Sequence, residues 1–276
     1  IILWNSETGF KELSHSGHDG EVKAVAFTPD GEHYLTAGAD GGAFVWRTGS
    51  GEKVREFSGH TAAVDSLAVD PEGNRLVTLH AGGKATIWDV GGGAGEMSLK
   101  IDSTGVTAIA LSADGSRVAT GSVDATITVR EIDTNRVIGS FSGHTLQITA
   151  LAFSRGGKWL ASGGLDSEVF IHEVEGEGQR IGPLSGHRFW IRTVNFSQDG
   201  KWLATGGTDK AVLVWDTATG RRLFAFRAHR YPVSSVAFSP DGKWLATGGC
   251  DKRTLIWDMA TGGRIIDLLE HESDVT

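Results

Sequence analysis

Short apolar runs alternate along the chain with clusters of Gly, Asp, Ser and Pro. The stretch from Val233 to Gly249, VSSVAFSPDGKWLATGG, shows the pattern. VSSVAF has the length and apolar content of a strand. SPDGK is a turn signal, because Pro presets φ and Asp-Gly suits a tight reversal. WLATGG reads as a second strand. TLIWDM follows the turn at Asp251-Lys252 as a third, and IIDLLE follows ATGGR as a fourth. Four short strands joined by such turns predict one four-stranded antiparallel sheet.

The same order recurs. Gly-His pairs place His18, His60, His144 and His187, Ala-His places His229, and Glu-His places His271. The steps are 42, 84, 43, 42 and 42 residues, and Asp102 stands where the double step skips one. A further 28 residues on come Trp46, Trp88, Arg130, His172, Trp215 and Trp257, with Trp4 one period earlier in the same phase. A fixed period of this size marks a repeat architecture. Four short strands cannot bury both faces of their sheet alone, so the units must stack. A stack closed around an axis must also taper. The position eight after each histidine holds Ala26, Ala68, Ala110, Ala152, Asn195 and Ala237, and the next holds Phe27, Val69, Leu111, Phe153, Phe196 and Phe238. A small residue beside a large one in each unit suits a wedge.

Gly-His, then Ser/Thr, a turn Asp and Trp-Asp at this spacing resemble the WD-repeat β-propeller family, and the resemblance runs over essentially the whole chain. It implies an all-β ring of seven blades. Residues 18–270 are expected to form six complete four-stranded blades. The seventh is expected to be incomplete and split: residues 1–17 give its third and fourth strands (Ile1–Asn5 and Lys11–His15), and residues 271–276 begin its first. By the period, about 19 residues of that copy are missing, most of its inner two strands. The opening Ile1-Ile2-Leu3-Trp4 reads like the middle of a strand, which suits a piece of a longer protein.

The resemblance also implies that the His, Ser/Thr, Asp and Trp of a unit are hydrogen-bonded together. Three complete sets match: His18, Thr36, Asp40 and Trp46; His187, Thr205, Asp209 and Trp215; His229, Thr247, Asp251 and Trp257. Metal binding or acid–base catalysis is the competing reading. Histidines one repeat apart fall in different blades, however, and no His/Cys cluster has zinc-site spacing. Three units depart from the pattern. The second has Gly82 where Asp is expected, the third has Asp102 and Arg130, and the fourth has His172-Glu173. These are expected to be weaker blades; alternatively, Arg130, Glu131, His172 and Glu173 serve a function. Gly91–Gly95 lacks the Lys-Ser/Thr of a phosphate loop, and no Gly-x-Ser-x-Gly or His-Glu-x-x-His occurs. No metal or cofactor is expected.

Repeated residues build the scaffold, so function is expected where the repeats differ, on the loops. The three residues after each histidine become large and basic in two units: Arg188-Phe189-Trp190 and Arg230-Tyr231-Pro232. Leu146 and Leu165 adjoin them in the preceding unit. Aromatic and Arg residues together have the composition of binding hot spots. Arg188, Phe189, Trp190, Arg230, Tyr231, Leu146 and Leu165 are therefore the candidate partner contacts. The alternative is that Phe189 or Trp190 folds inward as packing. The pairs Lys158-Trp159, Lys201-Trp202 and Lys243-Trp244 recur in phase and read as structural.

Charge sharpens this reading. The chain carries 26 Lys/Arg against 34 Asp/Glu, a net −8, yet residues 180–230 hold nine Lys/Arg and three Asp/Glu. The expected partner is a protein or peptide with an acidic or acidic-hydrophobic segment. Net negative charge argues against general binding to nucleic acid or anionic membrane. No apolar run approaches the ~20 residues of a membrane span, and no signal segment opens the chain. One cysteine, Cys250, excludes an intrachain disulfide, and a cytoplasmic location is expected. The resemblance implies a non-enzymatic protein-interaction scaffold, a module of a larger signalling or regulatory protein. Two alternatives stand beside it. One is self-assembly through the incomplete blade. The other is an enzyme or ligand binder in the central channel, for which Ala-rich inner strands offer few groups.

Overall fold

The computed structural model describes residues 1–5, 8, 10–28, 30–57, 62–70, 75–80, 84–90, 96–97, 105–176, 179–227, 229–268 and 275. Among them, all helix or strand is strand. His60, Gly82, Gly91–Gly95, Asp102 and His271 lie outside the described residues.

Six sheets have four strands each, paired antiparallel in chain order. Blade 1 comprises Val22–Phe27, His33–Gly38, Ala43–Arg47 and Lys53–Phe57. Blade 2 comprises Val64–Val69, Arg75–His80, Lys84–Asp89 and Glu96–Met97. Blade 3 comprises Val106–Leu111, Arg117–Ser122, Ile127–Glu131 and Val137–Phe141. Blade 4 comprises Ile148–Phe153, Trp159–Gly164, Val169–Glu173 and Arg180–Ile181. Blade 5 comprises Ile191–Phe196, Trp202–Gly207, Val212–Asp216 and Arg222–Phe226. Blade 6 comprises Val233–Phe238, Trp244–Gly249, Thr254–Asp258 and Arg264–Leu268.

The turn joining the first two strands shows why these residues reverse the chain. In blade 6, Gly242 has φ 71°, a left-handed conformation natural to glycine. Asp241 Oδ1 accepts the Ser239 hydroxyl at 2.7 Å and the Lys243 N–H at 3.0 Å, tying the turn across its base. Thr28-Asp30, Ser112-Asp114 and Ser197-Asp199 make the same bond in three other blades.

First strands of successive blades lie against one another, so they form the inner wall. Each carries a β-bulge one residue after its start, at Lys23, Asp65, Thr107, Thr149, Arg192 and Ser234. Bulges re-aim side chains. Here Thr107 donates its hydroxyl to Ile148 O and Thr149 donates to Ile191 O, both at 2.6 Å, which pins each blade to the next.

Buried apolar clusters sit between blades. Leu35, Val45, Val64 and Leu76 fill the seam between blades 1 and 2, and Val77, Ile87, Ile109 and Val118 fill the next. Ile127, Val129, Ile148 and Leu160 fill the third, Ile171, Ile191 and Leu203 the fourth, and Val214, Val233 and Leu245 the fifth. Stability is thus spread over nearest-neighbour interfaces, as in other repeat proteins.

The N-terminal strands Ile2–Trp4 and Lys11–Ser14 pair with each other. Leu3 packs with Tyr34, Phe44 and Trp46 of blade 1. At the other end of the series, Val275 N–H donates to Gly249 O at 3.2 Å, and the Ser234 hydroxyl donates to Val275 O. Phe27 is 53% exposed, while Leu111 and Phe196 at the same position of their blades are buried. Those two are covered by the preceding blade; among the described residues, no inner strand of a preceding blade covers Phe27.

Candidate functional site

In blade 5, His187 Nδ1 lies 3.0 Å from Asp209 Oδ1, and Nε2 lies 2.8 Å from Thr205 Oγ1. Trp215 Nε1–H donates to the same Thr205 oxygen at 3.0 Å. One assignment satisfies every group: Nδ1–H donates to the carboxylate, the threonine hydroxyl donates to Nε2, and the indole donates to the threonine. Blade 6 repeats it with His229, Asp251 (3.0 Å), Thr247 (2.9 Å) and Trp257 (3.0 Å). Blade 1 does so with His18, Asp40 (3.0 Å), Thr36 (2.7 Å) and Trp46 (2.8 Å).

The carboxylate also fixes the loop that follows the histidine. Asp209 Oδ2 accepts the Arg188 N–H at 3.0 Å, and Asp251 Oδ2 accepts the Arg230 N–H at 2.8 Å. Burial works against ionising both aspartates. Hydrogen bonds from the facing histidines and from the backbone N–H groups outweigh it and hold both pKa values below the ordinary carboxylate range. The aspartate charge is therefore spent inside the blade.

Blade 4 keeps Asp166–His144 (3.0 Å) and His144–Ser162 (2.9 Å), but His172 Nε2 takes the place of the indole, 3.1 Å from Ser162 Oγ. Asp, His and Ser in a row invite comparison with a nucleophile relay. Ser162 is fully buried between two imidazoles, so no substrate carbonyl can reach it. Burial, with the nearby His144 and Arg180, pushes the His172 pKa down to about 4.

Blade 3 has no such network among the described residues. Asp124 caps its own turn through Thr126, Arg130 reaches the Asn135 carbonyl at 3.3 Å, and Glu131 pairs with Arg136 at 3.0 Å. Glu173 lies 3.4 Å from Lys158. In blade 2, Trp88 Nε1–H donates to Thr78 at 2.9 Å, and His80 stands 3.3 Å from that hydroxyl. The role of His80 was not foreseen, because it occupies a glycine position of the repeat.

The loops after the histidines and the turns bearing the aspartates are bonded together, so they share one end of the molecule. There Leu146, Phe189, Trp190 and Tyr231 are all more than half exposed, while Leu165 is half-buried. Arg188 and Arg230 are exposed. Lys210, which phase reasoning passed over, holds its Nζ 5.7 Å from the Tyr231 ring centre and so links blades 5 and 6. It is the residue after the turn Asp, a place held by Gly41, Ala125 and Ser167 in blades 1, 3 and 4 and by a second lysine, Lys252, in blade 6.

Two other places show less. Asp30, Glu32 and His33 approach one another at a turn, where Asp30 is already occupied by Thr28 and the Glu32 N–H. A hollow of about 220 Å³ beside Trp202 is lined by Gln198, Asp199, Pro240, Asp241 and Gly242.

Comparison with known proteins decides the family. The family model for the IFT122 first beta-propeller matches residues 1–210, and that for the WD domain, G-beta repeat matches residues 220–258. The chain belongs to the WD-repeat β-propeller family. No curated protein matches it. In this WD-repeat propeller the His/Thr/Asp/Trp sets sit inside blades and fasten the loop before the first strand, the second strand, the Asp turn and the third strand together. What differs from blade to blade is the exposed loop end.

Proposed function

We propose that this propeller is a non-enzymatic, cytoplasmic scaffold that holds a partner protein on the loop end of blades 4–6. One observation carries the reading: Leu146, Phe189, Trp190 and Tyr231 expose large apolar surface on adjoining loops, the composition of an interaction patch. Charge on the same loops favours an acidic partner. The matched model describes a first propeller, which fits a module of a larger protein. The test is affinity capture with wild type, with Trp190→Ala/Arg230→Glu, and with Lys201→Glu outside that patch. The first variant should lose partners that the second keeps. Equal capture by all three would refute the loop end as the contact surface.

The strands Ile2–Trp4 and Lys11–Ser14, with Val275, are read as parts of a seventh, split blade. Val275 lies 42 residues after Val233, and its carbonyl accepts Ser234 as Ile148 and Ile191 accept Thr107 and Thr149. Exposed Val25 and Phe27 face the side where its inner strands belong. That exposure also favours a second reading, self-association at this blade. Sedimentation that gives only monomer at high concentration rules self-association out.

A further inference from the structure

We propose that the loop end of blades 5 and 6 is a receptor for an acidic peptide segment in which carboxylates flank a bulky apolar residue. This rests on the loop end being the contact surface, and it adds the chemistry of what is bound.

Four cations lie on the loops and the strand start at this end: Arg188, Arg192, Lys210 and Arg230. All are exposed. None has a carboxylate partner among the described residues. Some cations elsewhere are matched, such as Arg75 with Asp133 at 2.9 Å, Lys53 with Glu56 at 2.8 Å and Arg136 with Glu131 at 3.0 Å. Asp209 and Asp251, which hold the Arg188 and Arg230 backbones, pair with histidines and with neither guanidinium group. The two aspartate side chains are each 3% exposed.

Position matters as much as count. Arg192 occupies the bulge of its strand, where Thr107 and Thr149 turn inward to bind the next blade. An arginine there makes no such bond and is exposed. Lys210 has φ 65°, a left-handed turn position where blade 1 uses Gly41. Its ammonium lies over Tyr231, whose ring is also open to a ligand. The cations thus lie on separate loops of two blades, interleaved with Phe189, Trp190 and Tyr231. Several spaced single charges around an apolar anchor complement that layout better than one concentrated dianion. An excess of unpaired positive charge steers such a segment in and rejects basic ones.

The probe is a synthetic peptide alternating glutamate with tryptophan and leucine, compared with its glutamine counterpart and with oligouridine of equal length. Binding is read by fluorescence anisotropy at about 50 and 200 mM salt. The acidic peptide should bind at least about tenfold more tightly than the glutamine peptide at the lower salt, and the gap should narrow at the higher. Arg188→Glu/Arg230→Glu should abolish the preference, and Arg188→Gln/Arg230→Gln should weaken it. Absence of binding by the acidic peptide, equal binding of the two peptides, tighter binding of oligouridine, or an unchanged preference in the charge variants would each overturn the proposal. Partner capture that is lost with Trp190→Ala but kept with Arg188→Glu/Arg230→Glu would overturn it too, while leaving the contact surface standing.

Discussion

His172 Nε2 lies 3.1 Å from Ser162 Oγ, where the Trp215 indole of blade 5 meets Thr205 at 3.0 Å. An imidazole therefore stands in for an indole as the donor. The two differ in one respect, because imidazole can take up a proton within a buried seam.

This gives blade 4 a pH dependence that a tryptophan at the same place would not. The folded pKa of His172 is about 4, below its ordinary 6.5. The unfolded chain therefore binds the proton first as pH falls, and stability present above 6.5 is lost progressively down to about 4. Between about pH 7 and 5 the loss is about 2 kcal/mol. His172→Trp should remove that part of the slope. Urea unfolding of both proteins at the two pH values measures it; parallel losses in both would show that His172 does not titrate as described.

Removing a histidine from a complete set should cost more than its size implies. His187→Ala leaves the Thr205 hydroxyl and the Asp209 carboxylate without a shared partner inside the blade. The expected destabilisation is about 1–3 kcal/mol, read from the denaturant midpoint. No shift in midpoint would mean that water replaces the imidazole at no cost.

The seams make a separate prediction. A Cβ on Gly206 would come within 2.6 Å of Val233 Cγ1 and 2.8 Å of Thr193 Cγ2. Gly206→Ala should therefore destabilise by about 1–3 kcal/mol through overpacking. In a Val233→Ala background the added cost should shrink, because the nearer of the two clashing methyls is gone. A double-mutant cycle in thermal or urea unfolding measures the coupling; strict additivity would place the strain elsewhere.

The register of the blades was legible in the sequence because each unit fastens itself with the same groups at fixed intervals. His187, Thr205, Asp209 and Trp215 mark the spacing, and strand boundaries follow from the turns between them. What escaped depends on neighbours rather than on phase. Phe27 keeps its repeat identity but lacks the cover that Phe196 has. His80 occupies a glycine position, and only the fold brings it to Thr78. Lys210 looks like any turn residue until its ammonium is found over Tyr231 of the next blade.

Two tryptophans of blade 5 should separate scaffold from contact surface. Trp215 is 2% exposed and packs in the seam core with its indole N–H bonded, whereas Trp190 is 54% exposed on the loop. Trp215→Ala empties a large buried volume and removes one partner of Thr205, so about 3–5 kcal/mol should be lost. Trp190→Ala removes no buried contact of comparable size, and surface changes of that kind stay within about 0.5 kcal/mol. Loss of partner binding in Trp190→Ala at unchanged unfolding midpoint therefore reports the interface alone. A midpoint shift in Trp190→Ala as large as that in Trp215→Ala would instead assign Trp190 to the packing of its own loop.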